Sequence, residues 1–250
     1  MDLISIIIPY YKKKKYINRS ISSIISQNYI NYEIIIVYDD DDKFELDYLM
    51  KRYRSNKKIV IINNKNNLGA GLSRNIGISI ARGKYIGFLD ADDFWHKNKI
   101  KKQLKFMKKN KFKISHTSYN IVNRENKLIS KRKAKTFYNY KEILKSCDIG
   151  LSTVIMEKNL ISKKLKFTNE KTKEDFILWL KILKKKNHFG GLNQTLSSWR
   201  ITNNSLSSSI LQKLVDGFKV YYKHMGYGIF KSSYLLICLS ANFLKKKYDN

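Results

Sequence analysis

Gly83-Lys-Tyr-Ile-Gly-Phe-Leu-Asp-Ala-Asp-Asp-Phe-Trp95 joins a hydrophobic segment to three carboxylates without a break. Tyr85 to Leu89 is short, apolar and aromatic and follows Gly83, the pattern of a buried strand. Asp90, Asp92 and Asp93 crowd its C-terminal end. Carboxylates a few ångströms apart raise one another's pKa unless a cation lies between them. Hard oxygen ligands suit Mg2+ or Mn2+, and Mg2+ commonly takes one or two protein carboxylates together with substrate phosphates. Ligands of open α/β sheets bind beyond the carboxyl ends of the strands. The stretch therefore admits a metal–diphosphate site. It equally admits a solvated acidic turn with Asp93 as the N-cap of the next helix.

Upstream, the same strand–helix unit repeats. Leu3 to Ile8, closed by Pro9, has the continuous apolar character of a strand buried on both faces. Ile17, Ile21, Ile24 and Ile25 mark one face of a helix that ends near Gln27. Glu33 to Val37 is a second buried strand and also ends in acid, Asp39 to Asp42. A helix with Phe44, Leu46, Leu49 and Tyr53 as its apolar contacts follows, then a strand over Lys58 to Ile62. After a polar loop, Leu72 to Ala81 is predicted as a helix with Ile76 and Ile80 inward. This βαβαβαβ alternation predicts an α/β fold with a mostly parallel, Rossmann-like sheet flanked by helices. Downstream the pattern changes. A helix over Lys97 to Lys109 precedes paired strands over Lys113 to Tyr119 and Asn126 to Lys131, a strand over Leu151 to Met156, a helix over Glu174 to Lys184 and a helical tail from Ser207.

A chain of 250 residues with 43% hydrophobic residues can bury a substantial core. The formal net charge is +30. Nearly all of the positive charge is Lys spread along the chain, whereas Arg, the preferred residue for bidentate recognition of bases and phosphates, is scarce. Nucleic acid is therefore not an expected partner. Cys147 and Cys238 are far apart and form no CxxC, so they are expected to be buried, inert thiols. His116 and His188 lack metal-spaced partners and are expected to be structural. The N-terminus lacks the basic region and cleavage site of a signal peptide, and no apolar run reaches the roughly 20 residues of a membrane span. A cytoplasmic protein is the expectation.

Gly69-Ala-Gly71 between a strand and a helix invites a dinucleotide reading, but position 74, where the third glycine belongs, is Arg74. Arg74 on the first turn of that helix is instead a candidate to reach a nucleotide or its phosphates; a surface arginine is the plain alternative. Asp39, at the end of the strand beside the first, could accept the N3–H of a uracil or thymine ring.

Ser5-Ile-Ile-Ile-Pro-Tyr-Tyr11, Ser20-Ile-Ser-Ser-Ile-Ile-Ser-Gln27, Glu33 to Val37 with Asp39, Asn67-Leu-Gly with Ser73-Arg-Asn75, and Gly83 to Trp95 together resemble family 2 glycosyltransferases of the GT-A fold. The resemblance is close over about the first 110 residues and continues more loosely through Glu174 to Leu180 and Trp199 to Ser207. It implies an inverting transferase that takes a sugar from a nucleotide-diphosphate donor, a UDP- or dTDP-sugar, with Mn2+ or Mg2+. The implied organisation is a catalytic domain over residues 1–206, with a nucleotide-sugar half (1–110), a smaller acceptor-side sheet (111–206) and a helical extension (207–250). The family's Asp-x-Asp maps onto Asp90-Ala91-Asp92, with Asp92 as metal ligand and Asp93 competing. Pro9, Tyr11, Asp39, Arg74, Asp90, Ala91, Asp92 and Arg200 are the implied donor contacts. Tyr38 stands where the family has the first of two acids. Asp175 matches the family's general base and Glu174 an orienting neighbour. The implied acceptor is a glycan or lipid-linked glycan of a surface polysaccharide.

Two rival readings exist. A nucleotidyltransferase would carry a Gly-rich basic loop after the first strand, where this chain has Pro9-Tyr10-Tyr11-Lys12. A basic nucleic-acid-binding protein would leave acids at two adjacent strand ends unexplained. Finally, Tyr234 to Leu239, Phe243 and Leu244, followed by Lys245-Lys246-Lys247, suggest a tail helix lying on an anionic membrane surface.

Overall fold

The computed structural model describes residues 1–185, 188–202 and 210–248. Its first half is the expected alternation: β1 (Ile4–Tyr10), α1 (Lys14–Ile25), β2 (Tyr32–Tyr38), α2 (Lys43–Tyr53), β3 (Ile59–Asn63), α3 (Ala70–Ile80) and β4 (Tyr85–Phe88). All four strands are parallel, in the order β3-β2-β1-β4. Burial on both faces explains the unbroken Ile runs, because successive side chains serve opposite cores. Ile4, Ile6 and Ile8 meet Ile17, Ile21 and Ile24 of α1 in one apolar cluster. Ile7, Val37 and Phe88 belong to the other, with Ile78 of α3.

Three inward assignments fail. Ile25 is exposed at the end of α1, whose buried face is Ile17, Ser20, Ile21 and Ile24. Phe44 is 87% exposed, because the buried stripe of α2 runs through Glu45 and Leu49, with Leu46 and Tyr53 at its edge. Ile80 is exposed as well. The buried face of α3 is Gly71, Arg74, Gly77 and Ile78, and Ile80 points away from it at helical spacing.

The second half comprises β5 (Phe94–Trp95), α4 (Lys99–Asn110), β6 (Ile114–Val122), β7 (Leu128–Arg132), α5 (Tyr140–Ile143), β8 (Ile155–Glu157), α6 (Glu174–Lys184), β9 (Phe189–Arg200), α7 (Ile210–Lys219), a π-helical turn (Val220–His224) and α8 (Ile229–Tyr248). The sheet continues from β4 through β8, β6 and β9 to β5, with β7 on β6. β8 runs antiparallel to β4, so the sheet changes character beside the strand that carries Asp90. The segment expected as a strand over Leu151 to Met156 is split into a 3-10 turn (Leu151–Thr153) and β8.

The helical tail begins among residues outside the described set. From Ile210 it is helical, and it shares a core with α6: Val220, Tyr221, Met225, Leu235 and Leu239 pack in the same cluster as Phe176 and Leu180. Cys147 and Cys238 are half-buried rather than buried, and neither is in a disulfide. His116 is buried beside the carbonyl of Lys135 at 2.9 Å, and burial pushes its pKa down to about 4, as befits a neutral structural imidazole. His188 is exposed and packs edge-on to Tyr138.

Candidate active site

The C-terminal ends of β1, β2 and β4 open on one side of the sheet, and the loop before α6 closes over it. At the end of β1, Pro9 and Tyr11 reach solvent while Tyr10 between them is buried. Tyr10 stacks on Tyr38 of β2, with ring centroids 4.9 Å apart and planes 9° from parallel. Tyr38 is thus an inward-facing core residue and offers no group to the cleft, despite its place in the acidic strand end.

The acidic run after β2 divides into separate tasks. Asp39 is 4% exposed, and its carboxylate accepts from Asn64 Nδ2, Leu68 N and Gly69 N at 2.7–2.8 Å. Its backbone carbonyl accepts from Asn67 Nδ2. Asp39 therefore fastens the loop before α3, which explains the Asn67-Leu-Gly motif. Asp40 accepts from the backbone N–H of Lys12, which sits at a left-handed φ of 50°. Asp42 caps α2 by accepting from Glu45 N.

The turn after β4 is held as tightly. Ser20 Oγ donates to the carbonyls of Ala91 and Asp93, fixing the turn to α1. Asp93 is 1% exposed; its carboxylate accepts from Ser152 Oγ and from Arg200 N at 2.9 Å. The N-cap of α4 is Asn98, so Asp93 is no cap. It is a buried strut, and the donor set does not favour it as a metal ligand. Burial pushes its carboxyl well above the ordinary range, and the charges of Asp92 and Asp90 add to this.

Asp92 keeps an open edge. Its side chain is 14% exposed, and Oδ2 lies 2.7 Å from Lys13 Nζ. Burial raises its pKa, which Lys13 opposes. A carboxylate oxygen that already carries a cationic group suits a hard metal ion. Among the described residues no three His, Cys, Asp or Glu side chains are placed together as a metal cage. The donor set fits a metal held by one or two carboxylates and by ligand phosphates, rather than by a protein cage.

The two expected arginines are both engaged by the protein. Arg74 is 3% exposed, so it is not a surface residue; it donates to Asp90 Oδ1 at 2.8 Å and to Glu174 Oε1 at 2.7 Å. It is a bridge between the β4 turn and the start of α6. Arg200, expected as a donor contact, donates to the carbonyls of Asp92, Asn123 and Arg124, with its guanidinium over the rings of Tyr16 and Phe94. The structure shows it shaping the turn that presents Asp92.

Glu174 and Asp175 open α6, where a helix N-terminus favours negative charge. Burial raises both carboxyls, Glu174 to about 7 despite Arg74 and Asp175 in the same direction. A carboxylate made more basic in this way is suited to take a proton near neutral pH. Gly71 makes the closure possible, because a Cβ there would lie 2.3 Å from the carbonyl oxygen of Thr168. That close approach, rather than a dinucleotide turn, accounts for the second glycine of Gly69-Ala-Gly71. Asn75 adds two bonds to the backbone of Phe167 in the same loop.

Sequence reading missed several residues. Ser152 reaches Asp90 N and Asp93, and Lys13 reaches Asp92. Ser20 stood inside a quoted motif but without a role.

Breaking the buried bridge gives a stability prediction. Arg74→Met strands two carboxylates, a class of change that costs about 3–5 kcal/mol. The loss should depend on pH. Glu174 already holds its proton above its ordinary value of 4.5 in the folded protein, so its contribution to stability declines as pH rises from there through about 7. Without Arg74 the folded pKa rises further. Urea denaturation should therefore find the variant most destabilised above pH 7 and closer to wild type near pH 5.

The model of the Glycosyl transferase family 2 matches residues 5–166. The chain is 30% identical over 246 residues to the putative teichuronic acid biosynthesis glycosyltransferase TuaG of Bacillus subtilis, covering 98% of this chain and 97% of that one. It is 32% identical over 250 residues to the UDP-Glc:alpha-D-GlcNAc-diphosphoundecaprenol beta-1,3-glucosyltransferase WfgD of Escherichia coli, covering 99% and 96%. Among solved structures, S. aureus TarS 1-349 in complex with UDP-GlcNAc superimposes with a TM-score of 0.74 at 19% identity, over 94% of this chain and 70% of that one. That likeness shows the fold, which is the expected GT-A arrangement.

Proposed function

Because this chain belongs to glycosyl transferase family 2, we propose that it moves a sugar, with inversion, from a UDP-sugar to a hydroxyl of a lipid-linked glycan during surface polysaccharide synthesis. The observation that carries this reading is the Asp90–Arg74–Glu174 bridge, which joins the acidic end of β4 to the paired acids of α6. The acceptor class is supported by the diphosphoundecaprenol substrate in the name of WfgD, and UDP-glucose is the donor to test first.

Enzymes of this family generally use a divalent metal. Here Asp92 would hold Mn2+ or Mg2+, and the bound ion would neutralise charge developing on the leaving diphosphate. Asp175 takes the proton of the acceptor hydroxyl as its oxygen attacks the anomeric carbon. The bond from that carbon to the diphosphate oxygen breaks on the opposite face, and the nucleoside diphosphate leaves. One base suffices for a single displacement, and Glu174, held by Arg74, orients its neighbour. Pro9, Tyr11 and Asp39 border the nucleotide end, where Asp39 acts chiefly by holding the loop that shapes it.

UDP with Mn2+ should stabilise the protein by about 2.7 kcal/mol at a concentration 100 times Kd. For a chain of this size that is roughly 5–10 °C in Tm. Duplex DNA should give no such shift. A shift with DNA and none with UDP and Mn2+ would replace the transferase reading of the site with the nucleic-acid one.

The acceptor also gives a reason for membrane contact. No helix among the described residues is long and apolar enough to cross a membrane. α8, however, exposes Phe230 (92%), Tyr234, Ile237 (67%) and Leu244 at helical spacing, beside Lys245 and the Lys246-Lys247 that follow in sequence. An apolar stripe next to lysines fits the surface of an anionic bilayer, each Lys adding about 1 kcal/mol. Leu235 and Leu239 on the other face of α8 belong to the core, so the test spares them. Phe230→Ser with Ile237→Ser should abolish co-sedimentation with anionic liposomes while leaving the Tm within a few degrees. Undiminished co-sedimentation would move the membrane contact elsewhere.

A further inference from the structure

Lys13 is the residue that opens α1, three positions past the end of β1, and its ammonium lies between two groups. Nζ is 2.7 Å from Asp92 Oδ2 and 3.2 Å from Thr202 Oγ1. Its side chain is 21% exposed, less than those of its neighbours Lys12, Lys14 and Lys15, which lie on the surface. The backbone around it is fixed. Lys13 N donates to Tyr10 Oη, itself locked against Tyr38, and Lys12 N donates to Asp40. In a run of four lysines this one is aimed at the carboxylate assigned to the metal.

We propose that Lys13 is a built-in cation that occupies Asp92 until the metal arrives with the donor, and that the displaced ammonium then binds the donor's diphosphate. The proposal rests on the reading of Asp92 as metal ligand. The chemistry follows from charge. Asp92 is a mostly buried carboxylate with Asp90 and Asp93 close by, and an uncompensated charge there is costly. Lys13 supplies the compensation in the ligand-free protein. A divalent ion alone must displace it, so the apparent affinity for metal is the intrinsic affinity reduced by the fraction of molecules in which Asp92 is free. A metal–diphosphate complex meets no such penalty, because the released ammonium gains the phosphate oxygens as partners. Metal and donor are thereby coupled through one side chain, and coupling of this kind is reciprocal.

Two titrations test this with opposite signs. The first follows free Mn2+ by electron paramagnetic resonance with no nucleotide present. If the ammonium is on Asp92 about nine-tenths of the time, Lys13→Met should tighten Mn2+ about tenfold. The second titrates UDP calorimetrically in saturating Mn2+, where Lys13→Met should weaken binding about tenfold or more through the lost charge-assisted contact. Lys14→Met, which removes the same charge one residue away, should move neither affinity more than about twofold. Tighter Mn2+ with weaker UDP is the supporting result, and a merely damaged site cannot produce it. Unchanged or weaker Mn2+ binding in Lys13→Met overturns the proposal; if Asp92→Asn still abolishes Mn2+ binding, the proposed function stands without it. Mn2+ binding that survives Asp92→Asn overturns both. An equal response of Lys14→Met also overturns it, because the effect is then general charge and not contact with Asp92.

Discussion

Asp175→Asn is expected to lower sugar transfer by roughly 10²–10⁴-fold, the usual worth of a general base, and to leave UDP affinity in Mn2+ within a few-fold of wild type. The amide keeps the size of the side chain and its place at the start of α6, where the Asp175 carboxylate accepts from Phe176 N. It cannot take the acceptor proton. The pH profile carries an independent sign. Burial raises the Asp175 carboxyl, so the acid limb of kcat/KM in the wild-type enzyme should lie above the ordinary carboxylate range. That limb should vanish from the residual rate of the variant. A variant that keeps the limb would point to Glu174, whose carboxyl is raised to about 7, as the titrating group.

Asp92→Asn is expected to abolish metal-dependent turnover. A neutral amide oxygen is a weak substitute for a carboxylate toward a hard divalent ion, and the leaving diphosphate then departs without charge compensation. Folding should survive, because the backbone of the turn is held elsewhere: Arg200 Nε on the Asp92 carbonyl, Ser20 on the carbonyls of Ala91 and Asp93, and Ser152 on the Asp93 carboxylate. Asp93→Asn should behave in the opposite way. It removes a buried strut that ties the β4 turn to β9 and the Ser152 turn, so loss of stability should precede any specific loss of metal. Wild-type turnover by Asp92→Asn would remove Asp92 from the metal site.

The parallel half of the fold was legible because its strands are short apolar runs, with β1 and β2 Ile-rich and buried on both faces. The helix α1 repeats its buried apolar residues at helical spacing, Ile17, Ile21 and Ile24. The single positions that failed, Ile25, Phe44 and Ile80, are exposed apolar residues on the intervening helices, which hydrophobicity alone cannot tell from inward ones. β9 was not legible. Phe-Gly-Gly-Leu-Asn-Gln-Thr-Leu-Ser-Ser-Trp-Arg has neither alternation nor a continuous apolar run, and it is extended because β6 and β5 pair with its two sides. Its role as the wall that carries Arg200 to the Asp92 turn follows from that pairing.

The candidate site divides along the same line. Clustered carboxylates announce themselves at strand ends whatever surrounds them. Their partners do not. Arg74 meets Glu174 across 100 residues, Ser152 meets Asp93 across 59, and Lys13 is one of four consecutive lysines until the backbone aims it. Both arginines were expected to contact the donor. In the folded chain, carbonyls and carboxylates brought from remote segments occupy them, and no local pattern encodes such distances.

In the proposed mechanism Asp92 serves the metal and donor while Asp175 serves the acceptor proton. UDP binding measured calorimetrically, with and without Mn2+, in the two variants side by side tests it without knowledge of the sugar. Asp92→Asn should lose the Mn2+-dependent part of UDP affinity, and Asp175→Asn should retain it. The reverse pattern, with Mn2+-dependent affinity intact in Asp92→Asn and lost in Asp175→Asn, would contradict the assignment of both residues.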